Sequence, residues 1–187
     1  MSKESVNYLL NKYQIRPDHT RGQNFLIDDA VLSNIVSAAA LKKTEAVLEV
    51  GSGIGNLTAL LASVSGRVTA VEADLKFKPM LEAFAKVNSN VTMLFGNILD
   101  IPFADLHSAL GSSKYKIVAN IPYYITSRLL LHFLHYAELP ECVVLLIQKE
   151  VAERIVAGAG DHSKLSLSVQ MYADPEIVFE VSRKAFH

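Results

Sequence analysis

A single cysteine, Cys142, stands in the 187 residues. That excludes a disulfide within the chain, and the apolar run beside it, Val143-Val144-Leu145-Leu146-Ile147, makes it a small buried hydrophobe. A reducing compartment suits such a chain, and a cytoplasmic location is expected. No apolar stretch approaches the ~20 residues of a membrane span, and Met1-Ser2-Lys3-Glu4 opens neither a signal nor a transit peptide, so no membrane is expected. An excess of one charge is missing too. Lys and Arg number 18 against 19 Asp and Glu, a net charge of −1, which neither demands nor excludes nucleic acid because a groove needs only local basic charge. The histidines at 132 and 135 have no cysteine or carboxylate at ligand spacing, which points to packing or surface roles and no metal. Internal repeats and low-complexity tracts are lacking.

What is present is half hydrophobic, enough for one compact domain with a sheet covered on both faces. Apolar runs at 46–48, 68–71, 91–95, 115–119 and 142–147 alternate with helical periodicity after each. That alternation predicts an α/β fold with a mostly parallel sheet. A sixth strand is expected over 176–181, short helices over 105–110 and 165–172, and Pro79 suits the first turn of a helix through Met80, Leu81, Phe84 and Val87. Residues 1–27 read as an N-terminal arm, basic through Lys3, Lys12, Arg16, His19 and Arg21, and mobile in its first part; a solvated terminus and a phosphate-contacting arm both fit. Residues 28–187 read as the domain proper, opening with Asp28 or Asp29 as the cap of a helix that carries Val31, Leu32, Ile35, Val36 and Ala39.

The organising element is Glu49-Val50-Gly51-Ser52-Gly53-Ile54-Gly55-Asn56, between the apolar Ala46-Val47-Leu48 and the periodic Leu57, Leu60, Leu61, Val64. It reads as strand, glycine turn and helix, a place where backbone passes close to a small polar ligand and a helix offers free N–H groups. The dinucleotide fingerprint wants its third glycine at position 56, which is asparagine. Glu72 ends the next strand about twenty residues on, where such folds place an acceptor for ribose hydroxyls. No Gly-Lys-Ser/Thr follows, and Glu49 would repel a phosphate. A nucleoside without phosphate is implied, and S-adenosylmethionine fits.

Glu49, Glu72, Asn97 and Asn120 all stand just past strand ends, where ligands of parallel sheets bind. Asn120-Ile121-Pro122-Tyr123 has its own use. Pro122 lacks an N–H and biases Ile121 toward an extended backbone, leaving carbonyls free to receive an amine.

Leu48–Thr58 resembles the cofactor loop of the ribosomal RNA adenine dimethyltransferases, and Gly22–Asp29, Asn120–Tyr124 and Gln148–Ile155 resemble the same family in order. The resemblance implies a Rossmann-like class I S-adenosylmethionine-dependent methyltransferase fold. It implies cofactor contacts from Asn24, the Leu26 backbone, Glu49, Gly51, Gly53, Glu72, Asn97 and Asn120. Asn97 is a departure, since the family usually has an aspartate there against the adenine, and a neutral acceptor is weaker. Asn120, Ile121, Pro122 and Tyr123 would hold and stack the target adenine, with Phe186 facing Tyr123 across it. Lys149, Arg154 and Arg21 would reach RNA phosphates; for Lys149 and Arg154 a plain charged helix face with Glu150 and Glu153 fits as well. Tyr123 and Tyr124 also fit ordinary loop packing.

The implied activity is transfer of two methyls to each of two adjacent adenines near the 3′ end of small-subunit (16S) ribosomal RNA during ribosome biogenesis, with S-adenosylhomocysteine as product. The implied partner is that RNA or a pre-ribosomal particle, and the full-length enzyme is expected to be a monomer. Two alternatives stand beside it, the antibiotic-resistance branch acting on a large-subunit adenine and a non-catalytic RNA-binding assembly factor. The resemblance also implies that the chain stops at Arg183–His187 before a last strand and a helical domain. Phe186 is then expected to be poorly held, 177–181 to be disordered or self-associating, and methyl transfer to be slow although the cofactor binds.

Overall fold

The computed structural model describes residues 3–16, 25–122, 125–134, 136, 138–158 and 160–187. Five parallel strands form one sheet in the order β3-β2-β1-β4-β5. These are β1 (Ala46–Val50), β2 (Arg67–Glu72), β3 (Val91–Phe95), β4 (Tyr115–Asn120) and β5 (Cys142–Leu146). The central β1 is buried at every position, as a strand covered on both faces must be. Its alternation sends Leu48 and Val50 to one face and Val47 with Glu49 to the other. Leu48 and Val50 pack with Ile117, Leu106, Leu110, Leu129 and Phe133, which come from β4, α5 (Phe103–Leu110) and α6 (Thr126–Leu134). Val47 packs with Leu32, Ile35, Leu57 and Leu61 of α2 (Asp29–Ala38) and α3 (Asn56–Val64).

Local sequence sets the helix ends. Asp28 caps α2, its carboxylate accepting from the backbone of Ala30 (2.9 Å) and Val31 (3.1 Å). Pro79 lies in the first turn of α4 (Lys78–Val87). The helix expected over 165–172 is α8 (Lys164–Gln170), begun by a reciprocal Ser163–Ser166 capping box, and it packs on α7 (Lys149–Val156) through Leu165, Val169 and Ile155.

Three expectations are corrected. The first part of the N-terminal arm is a helix, α1 (Lys3–Lys12), whose buried Val6 and Leu10 pack with Ile15, Phe25, Phe77, Met80 and Leu81. Val6, Leu9, Leu10 and Tyr13 recur at helical spacing, a stripe that the basic residues between them obscured. The sixth strand is the second correction. Residues 176–181 join no ladder, because a period-2 pattern makes a strand only where another backbone lies in register beside it. Side chains place the segment instead. Phe179 and Val181 pack on the α2–α3 face and Glu180 accepts from Lys149 at 2.7 Å.

The last residues are held, contrary to the expectation for Phe186. Ile27 N donates to the Ala185 carbonyl (2.9 Å), His187 N donates to the Phe25 carbonyl (2.9 Å), and Leu26 and Phe186 form an antiparallel bridge. This clamp fixes the segment that runs into α2 along the carboxyl ends of the strands.

Candidate active site

A cavity of about 330 Å³ opens at the carboxyl ends of the strands and is lined from β1, β2, β4 and the segment that follows β3 together. That volume lies at the small end of the ~300–1,000 Å³ typical of ligand pockets. It sits where the order reverses between β1 and β4, the crevice that parallel sheets use for ligands.

The glycine turn makes its floor. Gly51, Gly53 and Gly55 have φ of 80°, 53° and 80°, a left-handed region that only glycine enters freely. A Cβ on Gly51 would stand 3.6 Å from the Asn120 carbonyl oxygen, whereas one on Gly53 would meet Phe25 and one on Gly55 would meet Leu81. Backbone conformation, more than ligand approach, therefore accounts for the second and third glycines.

Glu72 ends β2 and knits the turn. Its Oε2 accepts from Gly53 N at 2.7 Å and its Oε1 from Asp74 N at 2.8 Å. Each oxygen keeps acceptor capacity. Burial raises its pKa, and the two N–H groups work against that rise. Glu49 is placed differently. It is 1% exposed and its Oε2 has no hydrogen-bond partner. Burial pushes its pKa up to about 8, Thr58 opposing and the charge of Glu72 adding. Asn56 Oδ1 and Thr58 Oγ1, at the start of α3 on the same face of the sheet, are also buried without partners.

Asn120 closes β4 and lines the cavity with Ile121 and Pro122. Ile121 is 2% exposed and its side chain is locked in the α5–α6 core, while Ile125 N donates to the Pro122 carbonyl at 3.2 Å. The lip from Asn120 to Pro122 thus continues a buried strand, and the Pro122 carbonyl is tied to the residue that precedes α6. Asn97, beyond β3, is exposed; its Nδ2 donates to Asp100 Oδ2 (2.9 Å) and its Oδ1 accepts from Leu99 N (3.2 Å). Leu26 reaches the cavity, its carbonyl held by Asn56 Nδ2 at 2.9 Å.

The cavity therefore gathers Leu26, Glu49, Gly51, Gly53, Glu72, Asn97 and Asn120 to Pro122. Asn24, Arg21 and Tyr123 lie outside the described residues. Phe186 packs with the α2–α3 core beside Leu26 and does not line the cavity. Lys149 does not either; its ammonium is paired with Glu180 (2.7 Å) and Glu153 (4.0 Å), the second arrangement that its helix allowed, and Arg154 is exposed on the same helix. Two lining residues went unnoticed in the sequence. Phe25 is tied to Phe77 edge to face at 5.9 Å, and Arg128 sits in the first turn of α6. The signal for Arg128 was available, since a side chain two positions into the helix after Asn-Ile-Pro-Tyr must stand near that lip.

The model of the ribosomal RNA adenine dimethylase family matches residues 16–187. The chain belongs to that family. It is 42% identical to the ribosomal RNA small subunit methyltransferase A of Dehalococcoides mccartyi over 180 residues, which is 96% of this chain and 61% of that relative. It spans less than two thirds of that protein's length. Among solved structures, it is similar to a dimethyladenosine transferase from Plasmodium falciparum (TM-score 0.68, 29% identity, 79% of this chain and 52% of that one). It is also similar to the 23S rRNA methyltransferase ErmE (TM-score 0.66, 27% identity, 77% and 56%). The fold of the chain is accordingly the class I S-adenosylmethionine-dependent methyltransferase fold, its parallel sheet carrying helices on both faces. Among the described residues no helix is long and apolar enough to cross a membrane, and no His, Cys, Asp and Glu group has the makings of a metal site.

Proposed function

We propose that this chain carries the catalytic core of an enzyme that transfers methyl groups from S-adenosylmethionine to N6 of two adjacent adenines near the 3′ end of small-subunit ribosomal RNA. The observation that carries the reading is the meeting, in one cavity, of the Glu72-braced glycine turn with the Asn120-Ile121-Pro122 lip. The residues present fit such a cofactor. Glu72 has acceptor capacity left for ribose hydroxyls, Asn97 lines the same cavity and would meet the adenine, and the carboxylates would welcome a cation and disfavour a phosphate. Asn24 and the Leu26 backbone would close over it as part of the 1–27 segment, with residues 28–187 as the methyltransferase domain.

Bound S-adenosylmethionine supplies a methyl already activated on a sulfonium, whose sulfur keeps the C–S electron pair as the methyl leaves. The chain supplies position. Asn120 Oδ1 and the Ile121 carbonyl accept the two hydrogens of the adenine amine, which turns the nitrogen lone pair toward the methyl. Tyr123 stacks on the base, as an extruded adenine requires. N6 carries a positive charge once its lone pair has bonded to the methyl and is then acidic, so its proton passes to water and no side chain need act as a strong base. Holding donor and acceptor in line provides most of the rate. Arg128 lines the cavity and would meet an RNA phosphate at its mouth; Arg21 and Arg154 are the further cations of this reading, while Lys149 is held in ion pairs with Glu180 and Glu153. The partner in this reading is a pre-ribosomal particle in the cytoplasm, and the whole enzyme acts as a monomer.

The experiment is methyl transfer from labelled cofactor to immature small subunits, followed by mapping of the modified adenines. Dimethylation of two adjacent adenines near the 3′ end is the expected result. Modification of a large-subunit adenine would place the chain with the antibiotic-resistance branch instead, and cofactor binding without transfer, in a protein of the relatives' full length, would make it an assembly factor.

A further inference from the structure

Two buried carboxylates share this cavity and are treated differently by the fold. Glu72 is 7% exposed and each of its oxygens holds a backbone N–H, whereas Glu49 is 1% exposed and its Oε2 holds nothing. The surroundings of Glu49 offer no compensating cation. From the end of β2 it is faced by Glu72, the start of α3 presents the uncharged Asn56, Leu57 and Thr58, of which Thr58 hydrogen-bonds it through its backbone N–H, and the cavity lining beyond adds Asp74, Gly96 and Asn97. Arg128 is exposed, out on the rim toward α6. A carboxylate so placed stays neutral until a positive charge arrives beside it, because ionisation without a partner in a buried site is costly.

The sheet order says which charge that is. β1 lies between β2, whose Glu72 is set for the ribose, and β4, whose Asn120 is set for the amine that takes the methyl. The atom that gives up the methyl has to lie between those two, over the end of β1, where Glu49, one residue short of that end, lines the cavity. We propose that Glu49 makes this pocket sense the charge on the cofactor's sulfur, so that it grips the sulfonium and releases the neutral thioether left after transfer. The inference rests on the S-adenosylmethionine reading of the site and adds a basis for product release. When the sulfonium binds, Glu49 gives its proton to solvent and the carboxylate faces the sulfur. When the methyl has gone, the carboxylate faces an uncharged sulfur and takes a proton back.

The sign follows from the free site. With its pKa near 8, Glu49 is protonated at lower pH and must lose that proton to bind the sulfonium, so affinity for S-adenosylmethionine rises with pH up to about 8. S-adenosylhomocysteine has the same ammonium and carboxylate but no sulfonium, so its affinity rises less. The test is calorimetry on the chain with both ligands at pH 6 and pH 7, below the ~7.7–8.0 at which an α-amine titrates, in two buffers of different ionisation heat. Expected is a roughly tenfold tightening for S-adenosylmethionine with release of about one proton, against less than about threefold for S-adenosylhomocysteine. Glu49→Gln should flatten the first slope while still binding S-adenosylhomocysteine, which also shows that it folds. Parallel slopes for the two ligands on the unaltered chain would overturn the proposal, since Glu49 would then answer the ammonium. A full slope retained in Glu49→Gln would overturn it in favour of Glu72. Binding of neither ligand would remove the cofactor reading itself, and this proposal with it.

Discussion

The two ends of the sheet are built from the same residue types and treat them in opposite ways. At the amino ends, Lys116 Nζ is paired with Glu45 at 3.1 Å and donates to the Ala39 and Ala40 carbonyls at 3.0 and 3.1 Å. Asn90 Nδ2 donates to the Ala62 carbonyl at 2.9 Å and Tyr115 OH to the Glu138 carbonyl at 3.2 Å. At the carboxyl ends, Glu49 Oε2, Asn56 Oδ1 and Thr58 Oγ1 are buried with no partner. Buried polar atoms are nearly always satisfied, so a cluster of unsatisfied ones on a cavity marks where the fold has given up stability for a ligand. One end holds the sheet together and the other is kept ready.

The contrast can be broken by mutation. Asn120→Ala has the largest expected effect, a loss of about 100-fold or more in methyl transfer, because misplacing an acceptor held in line costs that much, with cofactor affinity largely kept. Comparable loss of both would make Asn120 part of the cofactor floor. Glu49→Gln tests the cost of readiness. The folded pKa of Glu49 is raised to about 8 from an unfolded value of 4.5, so as pH climbs through that window the unfolded chain ionises and the folded one does not. Folding stability falls there, by roughly 1.4 kcal/mol per unit at most. The ligand-free variant should therefore melt higher than the parent at pH 8 and alike at pH 5, as read by calorimetric unfolding; equal melting at both would show Glu49 ionised and paired.

Glu72→Ala should weaken S-adenosylmethionine by roughly 1.5–3 kcal/mol, the range for hydrogen bonds to a charged group, and an unchanged dissociation constant would detach Glu72 from the ribose. Lys116→Ala belongs to the opposite end and should act on stability alone. A fall in melting temperature of roughly 4–8 °C with unaltered ligand affinity is expected, and a loss of affinity would show that the two ends are coupled. The smallest effect is reserved for Asn97→Asp. A charged acceptor for the adenine amine would gain, but the new carboxylate would meet Asp100, to which Asn97 now donates at 2.9 Å. The two should offset to within about threefold in affinity, and a tenfold tightening would mean that Asp100 yields to the ligand.

The sequence by itself determined the sheet, the turn and most of the cavity. Strand and helix periodicities are local, positive φ at Gly51, Gly53 and Gly55 is a property of glycine, and a parallel sheet has only one end at which Glu49, Glu72, Asn97 and Asn120 can meet. Tertiary structure decided the rest, because each remaining point depends on what stands beside a residue rather than on the residue. Residues 176–181 alternate like a strand and yet join no ladder, since strandedness is a relation to a second backbone. Val6 and Leu10 look like members of a basic arm until Phe77, Met80 and Leu81 give them something to bury against. Lys149 has Glu150 and Glu153 near it in the sequence, but only the fold brings up Glu180 from 31 residues away. Glu49 is one residue short of the end of β1 and Glu72 is the last residue of β2; packing gave Glu72 a backbone N–H on each oxygen and left Glu49 with Thr58 beside it and an Oε2 that holds nothing, and that difference sets what each is fit to bind.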